Sequence, residues 1–78
     1  MNEIKIIAFG KIAEIIGANQ MTISFVKDTD ELKKYLENKY TNLQQIKYAI
    51  AVNKQLISEN KTLKPSEEIA LLPAFSGG

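Results

Sequence analysis

The residues of this sequence that could do chemistry lie at its end, which reads Phe75-Ser76-Gly77-Gly78. A glycine pair carries no reactive side chain, but it forms a slim, flexible strand that ends in the α-carboxylate of Gly78. Because glycine lacks a Cβ, the backbone of another protein can approach such a strand closely from every side. We therefore expect the Gly78 carboxylate to be the reacting group, with Phe75, Ser76 and Gly77 threading it into another protein's active site.

The place of the glycine pair in the sequence is a stronger signal of function than the occurrence of two consecutive glycines. Glycine makes up about 7% of an average protein, so two in a row at one given place arise by chance at roughly 0.5%. Here the pair follows an apolar strand, Ile69 to Leu72, which Pro73 closes. We expect one domain over residues 1–72 and an extended tail over residues 73–78.

The side chains elsewhere in the sequence exclude most kinds of catalysis. The 78 residues include no cysteine and no histidine, so thiol nucleophiles, thiolate metal sites and the commonest general base are missing. No glycine-rich phosphate loop is present either. We expect this chain to bind no metal and no cofactor. If it takes part in covalent chemistry, we expect it to do so as the substrate end or carrier, while its partner supplies nucleotide, base and metal.

Composition also limits the partners and the location. The net charge is +1 with acidic and basic residues interspersed, so the sequence shows no basic stripe for nucleic acid and no polybasic block for a membrane surface. The start has neither a basic segment nor a long apolar stretch, unlike a signal peptide. We expect a cytoplasmic domain whose 45% hydrophobic residues form one small core.

Hydrophobic periodicity predicts an α+β domain, in which one mixed sheet has a long helix packed across one face. The first strand alternates Ile4, Ile6 and Ala8 with Lys5, Ile7 and Phe9, so it is apolar on both faces. The predicted elements that follow are a short helix over Lys11–Ile16 stopped by Gly17, a strand over Met21–Phe25, a long helix after Asp28, a loop over Thr41–Gln45, a strand over Ile46–Val52, a turn at Asn53-Lys54, a short strand over Gln55–Ile57, a polar link over Ser58–Lys64 pinned by Leu63, a turn over Pro65–Glu68 and a last strand over Ile69–Leu72.

The long helix has the clearest signals. Asp28 is suited to cap its free amides, and Glu31 stands three residues later, as in a capping box. One stripe of the helix is apolar and predicted to face the core. That stripe comprises Leu32, Tyr35, Leu36 and Tyr40.

The strand over residues 46–52 shows the alternation of a half-buried strand. Tyr48, Ile50 and Val52 share one face, which we assign to the core. Ala49 and Ala51 share the other face, where small side chains indicate a tighter space.

Four segments together resemble the ubiquitin-like β-grasp sulfur carriers, and among them the MoaD family of molybdopterin synthase small subunits. The resemblance covers essentially the whole chain. The family often has an arginine where Ala13 stands and a second proline where Ala74 stands. The segments are Phe9–Gly17, the helix capped by Asp28, the hairpin Ala51–Ile57, and Glu68–Pro73 followed by Gly77-Gly78.

The resemblance implies a fold, a reaction and a set of partners. The fold is a ubiquitin-like β-grasp. In similar proteins an ATP-dependent, ubiquitin-activating-like enzyme adenylates the terminal glycine, and sulfur from a donor protein then displaces AMP to leave a thiocarboxylate. The carrier docks on the large catalytic subunit of molybdopterin synthase and delivers sulfur to cyclic pyranopterin monophosphate. The implied role of Gly78 is to carry AMP or sulfur as a transient modification, in a subunit that is not itself catalytic.

A docking surface for these partners is a further hypothesis. Edge positions of a β-grasp sheet lie near the tail, and exposed aromatic residues often dominate binding energy. We assign Phe9, Leu56, Leu72 and Phe75 to this candidate partner interface.

Three other functions remain open at this stage. A thiamine-type sulfur carrier shares the fold and chemistry, although its members usually lack the short helix at Lys11 to Gly17. A ubiquitin-like modifier would form an isopeptide bond through Gly78. A plain interaction module would have an inert tail.

Overall fold

The computed structural model describes residues 3–73, so the predictions for Phe75, Ser76, Gly77 and Gly78 lie outside the described residues. The predicted order of elements is confirmed, with a 3₁₀ helix in place of the predicted loop. The strands are β1 (Glu3–Ala8), β2 (Gln20–Ser24), β3 (Tyr48–Val52), β4 (Gln55–Leu56) and β5 (Glu68–Pro73), and the helices are α1 (Gly10–Ile16), α2 (Thr29–Lys39) and the 3₁₀ helix (Thr41–Gln45).

The five strands form one mixed sheet in the order β2-β1-β5-β3-β4. β1 and β5 are parallel, with Ile6 opposite Ile69, and the other neighbouring strands are antiparallel. The last strand is therefore the central one, flanked on both sides. This pairing confirms the predicted mixed sheet and places Pro73, where the tail begins, at an end of its middle strand.

One face of the sheet forms the hydrophobic core with α1, α2 and the 3₁₀ helix. Alternate strand residues point into it. The predicted alternation of β3 is confirmed because Ile50 and Val52 belong to this core, whereas Ala51 between them is buried but lies outside it. Leu32 and Leu36 of α2 are fully buried, so the long helix packs across this face as predicted. The core residues are Ile4, Ile6, Ala8, Ile12, Ile23, Leu32, Leu36, Leu43, Ile50, Val52, Leu63, Ile69 and Leu71.

α2 begins where its cap was predicted, but one residue of its apolar stripe was assigned wrongly. The Asp28 carboxylate accepts a hydrogen bond of 2.9 Å from the backbone N–H of Glu31. Tyr35 is 40% exposed instead of buried, and the Nζ of Lys39 lies 5.9 Å from its ring centroid. Tyr35 remains partly in solvent because it lies on the border of the stripe that Leu32 and Leu36 define.

The segment predicted as a polar loop is a 3₁₀ helix with a core residue in it. Leu43 is fully buried between polar neighbours. The side-chain amide of Gln44 donates a 3.0 Å hydrogen bond to the backbone carbonyl of Glu37, which ties this helix to α2. The 3₁₀ helix extends to Gln45 and Ile46 is its C-cap. β3 therefore begins at Tyr48 and not at Ile46 as predicted.

The predicted turn at Asn53-Lys54 is confirmed, since both residues have left-handed backbone, with φ of 50° and 72°. The Asn53 side chain stabilises it by accepting a 3.0 Å hydrogen bond from the Glu68 N–H and donating one of 3.1 Å to Glu67. β4 ends at Leu56, one residue earlier than predicted.

The link after β4 is tied to the start of α2 by a buried threonine. The Thr29 hydroxyl donates to the Asn60 side chain over 3.2 Å and accepts from the Lys61 N–H over 2.9 Å. Leu63 is buried and holds the link to the core, as predicted.

Candidate functional site

The end of β5 is held on both sides by backbone pairing. Pro73 is the register partner of Tyr48 on β3, and Leu72 is the partner of Ala49. On the other side, the backbone N–H of Phe9 donates a 3.2 Å hydrogen bond to the carbonyl of Leu71. β5 runs through Pro73, so one residue of the predicted tail segment belongs to the sheet. The chain therefore leaves the domain from a fixed position.

The face of the sheet opposite the core is apolar around this exit. The register assigns residues to this face, because two residues that are register partners on neighbouring strands lie on the same face of the sheet. Small side chains occupy its middle, and larger apolar side chains stand around them. The residues of this open face are Ile7, Phe9, Ala49, Ala51, Leu56, Ala70 and Leu72. We call this set the open-face patch.

The structure places three of the four predicted interface residues on this patch. Phe9 is 47% exposed and Leu56 is 68% exposed, whereas Leu72 is half-buried. Phe9 and Leu72 are neighbours, because the residues before them, Ala8 and Leu71, are register partners. Phe75 lies outside the described residues. Their role in binding a partner stays a prediction.

Leu56 lies apart from the other two predicted residues. It pairs with Ala51 on β3, so β3 separates it from β5. Neighbouring strands are about 4.8 Å apart, which puts Leu56 about 10 Å across the sheet from β5. The structure thus brings Phe9 and Leu72 together and sets Leu56 at the opposite margin. A partner would have to span the patch to contact all three.

The sequence reasoning missed two members of the patch that link these margins. Ile7 and Ala70 are register partners on the open face, between Phe9 and the β3 alanines. The signal for Ile7 was present, since the first strand is apolar on both faces. Ala70 could not be assigned without the register, because a four-residue apolar run shows no alternation.

Shifted pKa values belong to groups that stabilise the fold. Burial, together with a 2.6 Å hydrogen bond to the carboxylate of Glu37, raises the pKa of Tyr48 far above its usual value of 10.0. This bond ties β3 to α2 on the core side of the sheet. The N–H of Glu31 lowers the pKa of Asp28, the cap of α2. Both groups already have hydrogen-bond partners, so neither resembles a poised general acid or base.

Residues 3–73 contain no group of three or more metal-ligating acidic, histidine or cysteine side chains. Over the same residues, no helix has the length and apolar character needed to cross a membrane. What the described residues do offer is an exposed apolar surface and a fixed starting point for the tail.

Comparison with known proteins identifies a family and a curated relative of this chain. Residues 6–78 match the ThiS family. A curated relative from Caenorhabditis briggsae, named molybdopterin synthase sulfur carrier subunit, is 30% identical over 84 aligned positions that cover 100% of both chains.

Solved structures similar to this one include a bacterial complex and an archaeal modifier protein. The complex of subunits 1 and 2 of the molybdopterin-converting factor from Helicobacter pylori contains a chain that is 30% identical, with a TM-score of 0.71 and coverage of 97% of this chain and 99% of that one. The small archaeal modifier protein 1 from Methanosarcina acetivorans has a TM-score of 0.82 at 24% identity, covering 100% of this chain and 98% of that one. The second likeness shows the fold alone. The predicted ubiquitin-like β-grasp fold is confirmed.

Proposed function

The chain belongs to the ThiS family, and we propose that it is the sulfur carrier subunit of a molybdopterin synthase. The observation that carries this proposal is the end-to-end match to a relative of that name, which includes the region of the terminal glycines. A chain 30% identical to this one, in a complex of subunits 1 and 2 of a molybdopterin-converting factor, supports a large-subunit partner.

The proposed chemistry takes place at the carboxylate of Gly78. A carboxylate is a poor acyl donor, because its leaving group would be oxide. An activating enzyme uses ATP to join AMP to the carboxylate and releases pyrophosphate. A sulfur donor protein supplies sulfur at the sulfide level, which forms a bond to the carbonyl carbon and expels AMP, so that the chain ends in a thiocarboxylate. The carrier then transfers this sulfur to cyclic pyranopterin monophosphate in the large subunit.

This chain's own residues contribute position and reach. β5 is paired on both sides, so Pro73 starts from a fixed point of the sheet. From Pro73 to Gly78 there are six residues, which span about 20 Å when extended. That length is sufficient to pass from a docked domain to the bottom of a partner's pocket. Gly77 and Gly78 would lie in its narrowest part.

The open-face patch is the proposed docking surface for the large subunit. Its exposed side chains, Phe9 and Leu56, are apolar, and its small residues give a shallow floor into which a partner's side chains can pack. The patch adjoins Pro73, because Leu72 belongs to it. A partner bound there would sit beside the start of the tail.

The test is to incubate the chain with ATP, the activating enzyme and a sulfur donor, and to weigh it by mass spectrometry. We expect the mass change that replacement of one oxygen by sulfur produces, located at Gly78. The product, mixed with the large subunit, should convert cyclic pyranopterin monophosphate to molybdopterin. A chain amidated at Gly78 is the matched control, since its domain is unchanged but its reacting group is blocked. Conversion by the amidated chain would refute the proposal.

Substitution of Gly78 gives a second test within the same assay. We expect Gly78→Ala to impair transfer severely, because the methyl group must pass the narrowest part of the partner's channel, while the circular dichroism spectrum of the domain is unchanged. Normal synthase turnover by this variant would contradict the proposed role of the tail.

The same experiment separates the competing functions. A ubiquitin-like modifier would yield higher-mass adducts on the lysines of other proteins instead of a thiocarboxylate on the free chain. A thiamine-type carrier would form the thiocarboxylate but would not support molybdopterin formation. α1, which the structure confirms over Gly10–Ile16, favours the molybdopterin assignment over the thiamine one.

A further inference from the structure

Gly10, the first residue of α1, lies against the ring of Pro73. It has left-handed backbone, with φ of +56°. A Cβ added to Gly10 would lie 3.0 Å from the Cγ of Pro73 and 3.9 Å from its Cδ. The first distance is shorter than nearly all contacts that real Cβ atoms make. The space that a side chain would occupy at Gly10 is therefore taken up by the residue from which the tail begins.

The residues around Pro73 place its contact with Gly10 where it can affect the direction in which the chain leaves β5. Tyr48 on β3 is the register partner of Pro73 on one side. The N–H of Phe9, the residue before Gly10, holds the carbonyl of Leu71 on the other side. α1 and β5 are also in contact with each other. Pro73 thus lies between β3 and the start of α1.

We propose that Gly10 is a positioning residue, which lets the Pro73 ring seat against the start of α1 and so fixes the direction in which the chain leaves β5 toward Gly78. This inference rests on the proposed function, since it assigns Gly10 a role in presenting the reacting carboxylate. It adds a residue that belongs to neither the tail nor the open-face patch's exposed side chains.

A small change at the contact between Gly10 and Pro73 has a larger effect at the far end of the tail. A proline ring is bonded to its own backbone nitrogen, so it cannot rotate away as a long side chain can. A Cβ at Gly10 would therefore require Pro73 or Gly10 itself to shift by a few tenths of an ångström. For a tail held extended over about 20 Å, a change of about 10° in the exit direction displaces the far end by roughly 3 Å. Misplacement by about 1 Å can cost a reaction about 100-fold in rate.

The chain contains a matched control for the backbone strain that any Gly10 variant introduces. Gly17 also has left-handed backbone, with φ of +86°, at the other end of α1, and a Cβ there would meet no atom within 4 Å. Gly10→Ala and Gly17→Ala therefore impose the same kind of strain on the same helix. They differ in the contact with Pro73.

The experiment measures adenylation of the full-length chain by the activating enzyme, as pyrophosphate released against carrier concentration, together with the urea midpoint and the Kd for the large subunit. We expect Gly10→Ala to lower kcat at least tenfold relative to Gly17→Ala. The KM and the Kd should stay within about twofold of the wild type, because docking uses the sheet face. A kcat equal to that of Gly17→Ala, or a loss in KM alone, overturns the inference.

Pro73→Ala provides a second variant, which keeps the test decisive if Gly10→Ala does not fold. It removes the ring and the fixed φ, so we expect kcat to fall while KM holds, and Gly10→Ala should have little further effect on this background. An unchanged kcat for Pro73→Ala, or fully independent effects of the two substitutions, overturns the proposal. If the wild-type chain releases no pyrophosphate, the proposed function itself fails, and the inference fails with it.

Discussion

A charge placed at Leu56 tests whether the open-face patch binds the large subunit. Leu56 is 68% exposed, so about two-thirds of its surface is available to a partner. Complete burial of a leucine side chain is worth about 1.5–3 kcal/mol, and two-thirds of that is about 1–2 kcal/mol. This corresponds to a factor of roughly 5–30 in Kd. Leu56→Asp also places an unpaired carboxylate in the interface, so we expect at least a tenfold weaker complex.

The fold should tolerate this substitution because Leu56 contributes little to it. β4 is a two-residue edge strand, and the side chain of Leu56 lies outside the hydrophobic core. We expect the free energy of unfolding to fall by about 1 kcal/mol or less, the range of strand propensities. Urea denaturation measures this change, and isothermal titration calorimetry with the large subunit measures the affinity.

Thr22→Asp is the matched control for Leu56→Asp. Thr22 is an exposed residue of β2, the other edge strand, and it lies on the same face of the sheet, opposite Lys5. It carries the same added charge but stands outside the open-face patch. If Leu56→Asp binds the large subunit as tightly as Thr22→Asp does, the patch is not the docking surface. If Leu56→Asp unfolds the domain, the account of β4 given above is wrong.

Two further predictions concern stability. Leu43→Ala should lower the free energy of unfolding in urea by about 2–5 kcal/mol, because it empties a fully buried position in the 3₁₀ helix; a loss below 1 kcal/mol would mean that this segment does not belong to the core. The folded-state pKa of Asp28 is lowered from 3.8 by its hydrogen bond from the Glu31 N–H, so its contribution is present above pH 3.8 and is lost as the pH falls through the folded-state pKa. The wild type should therefore exceed Asp28→Ala in stability at pH 7 and lose that advantage toward pH 2, and an advantage that grows on acidification would refute this reading.

Local signals in the sequence predicted the parts of the fold that depend on near neighbours. The cap at Asp28 and the turn at Asn53-Lys54 were identified correctly, because each depends on contacts within a few residues. The alternation of Ile50 and Val52 with the alanines also gave the correct faces of β3. Each of these features has one dominant physical cause, and the residues responsible lie within a few positions of one another in the sequence.

The errors come from residues whose state depends on distant parts of the chain. Leu43 is a single apolar residue among polar ones, so nothing in its own segment marks it as part of the core. Tyr35 satisfied the helical period, but the core covers the region around Leu32 and Leu36 and leaves the border of the stripe in solvent. The contact between Gly10 and Pro73 joins residues far apart in sequence, and no local pattern could indicate it.

For the candidate site, the sequence predicted the residues but not their arrangement. The sequence alone drew attention to Phe9, Leu56 and Leu72 as apolar residues near the end of the sheet. Their arrangement needed the strand order, which alternation does not specify, since a strand of period two can pair with any neighbour. The register showed that Phe9 and Leu72 are adjacent while Leu56 stands at the opposite margin.

The central place of β5 has a consequence for how this protein folds. Without β5, the β1–β2 pair and the β3–β4 hairpin share no strand pairing, so the two halves of the sheet join only when the last strand inserts between them. Lys5 pairs with Glu68 across most of the chain, and such non-local contacts slow folding because the loop-closure entropy must be lost first. Assembly of the sheet and anchoring of the segment that leads to the terminal glycines are therefore one event. A half-assembled domain would have no anchored Pro73 from which to present them.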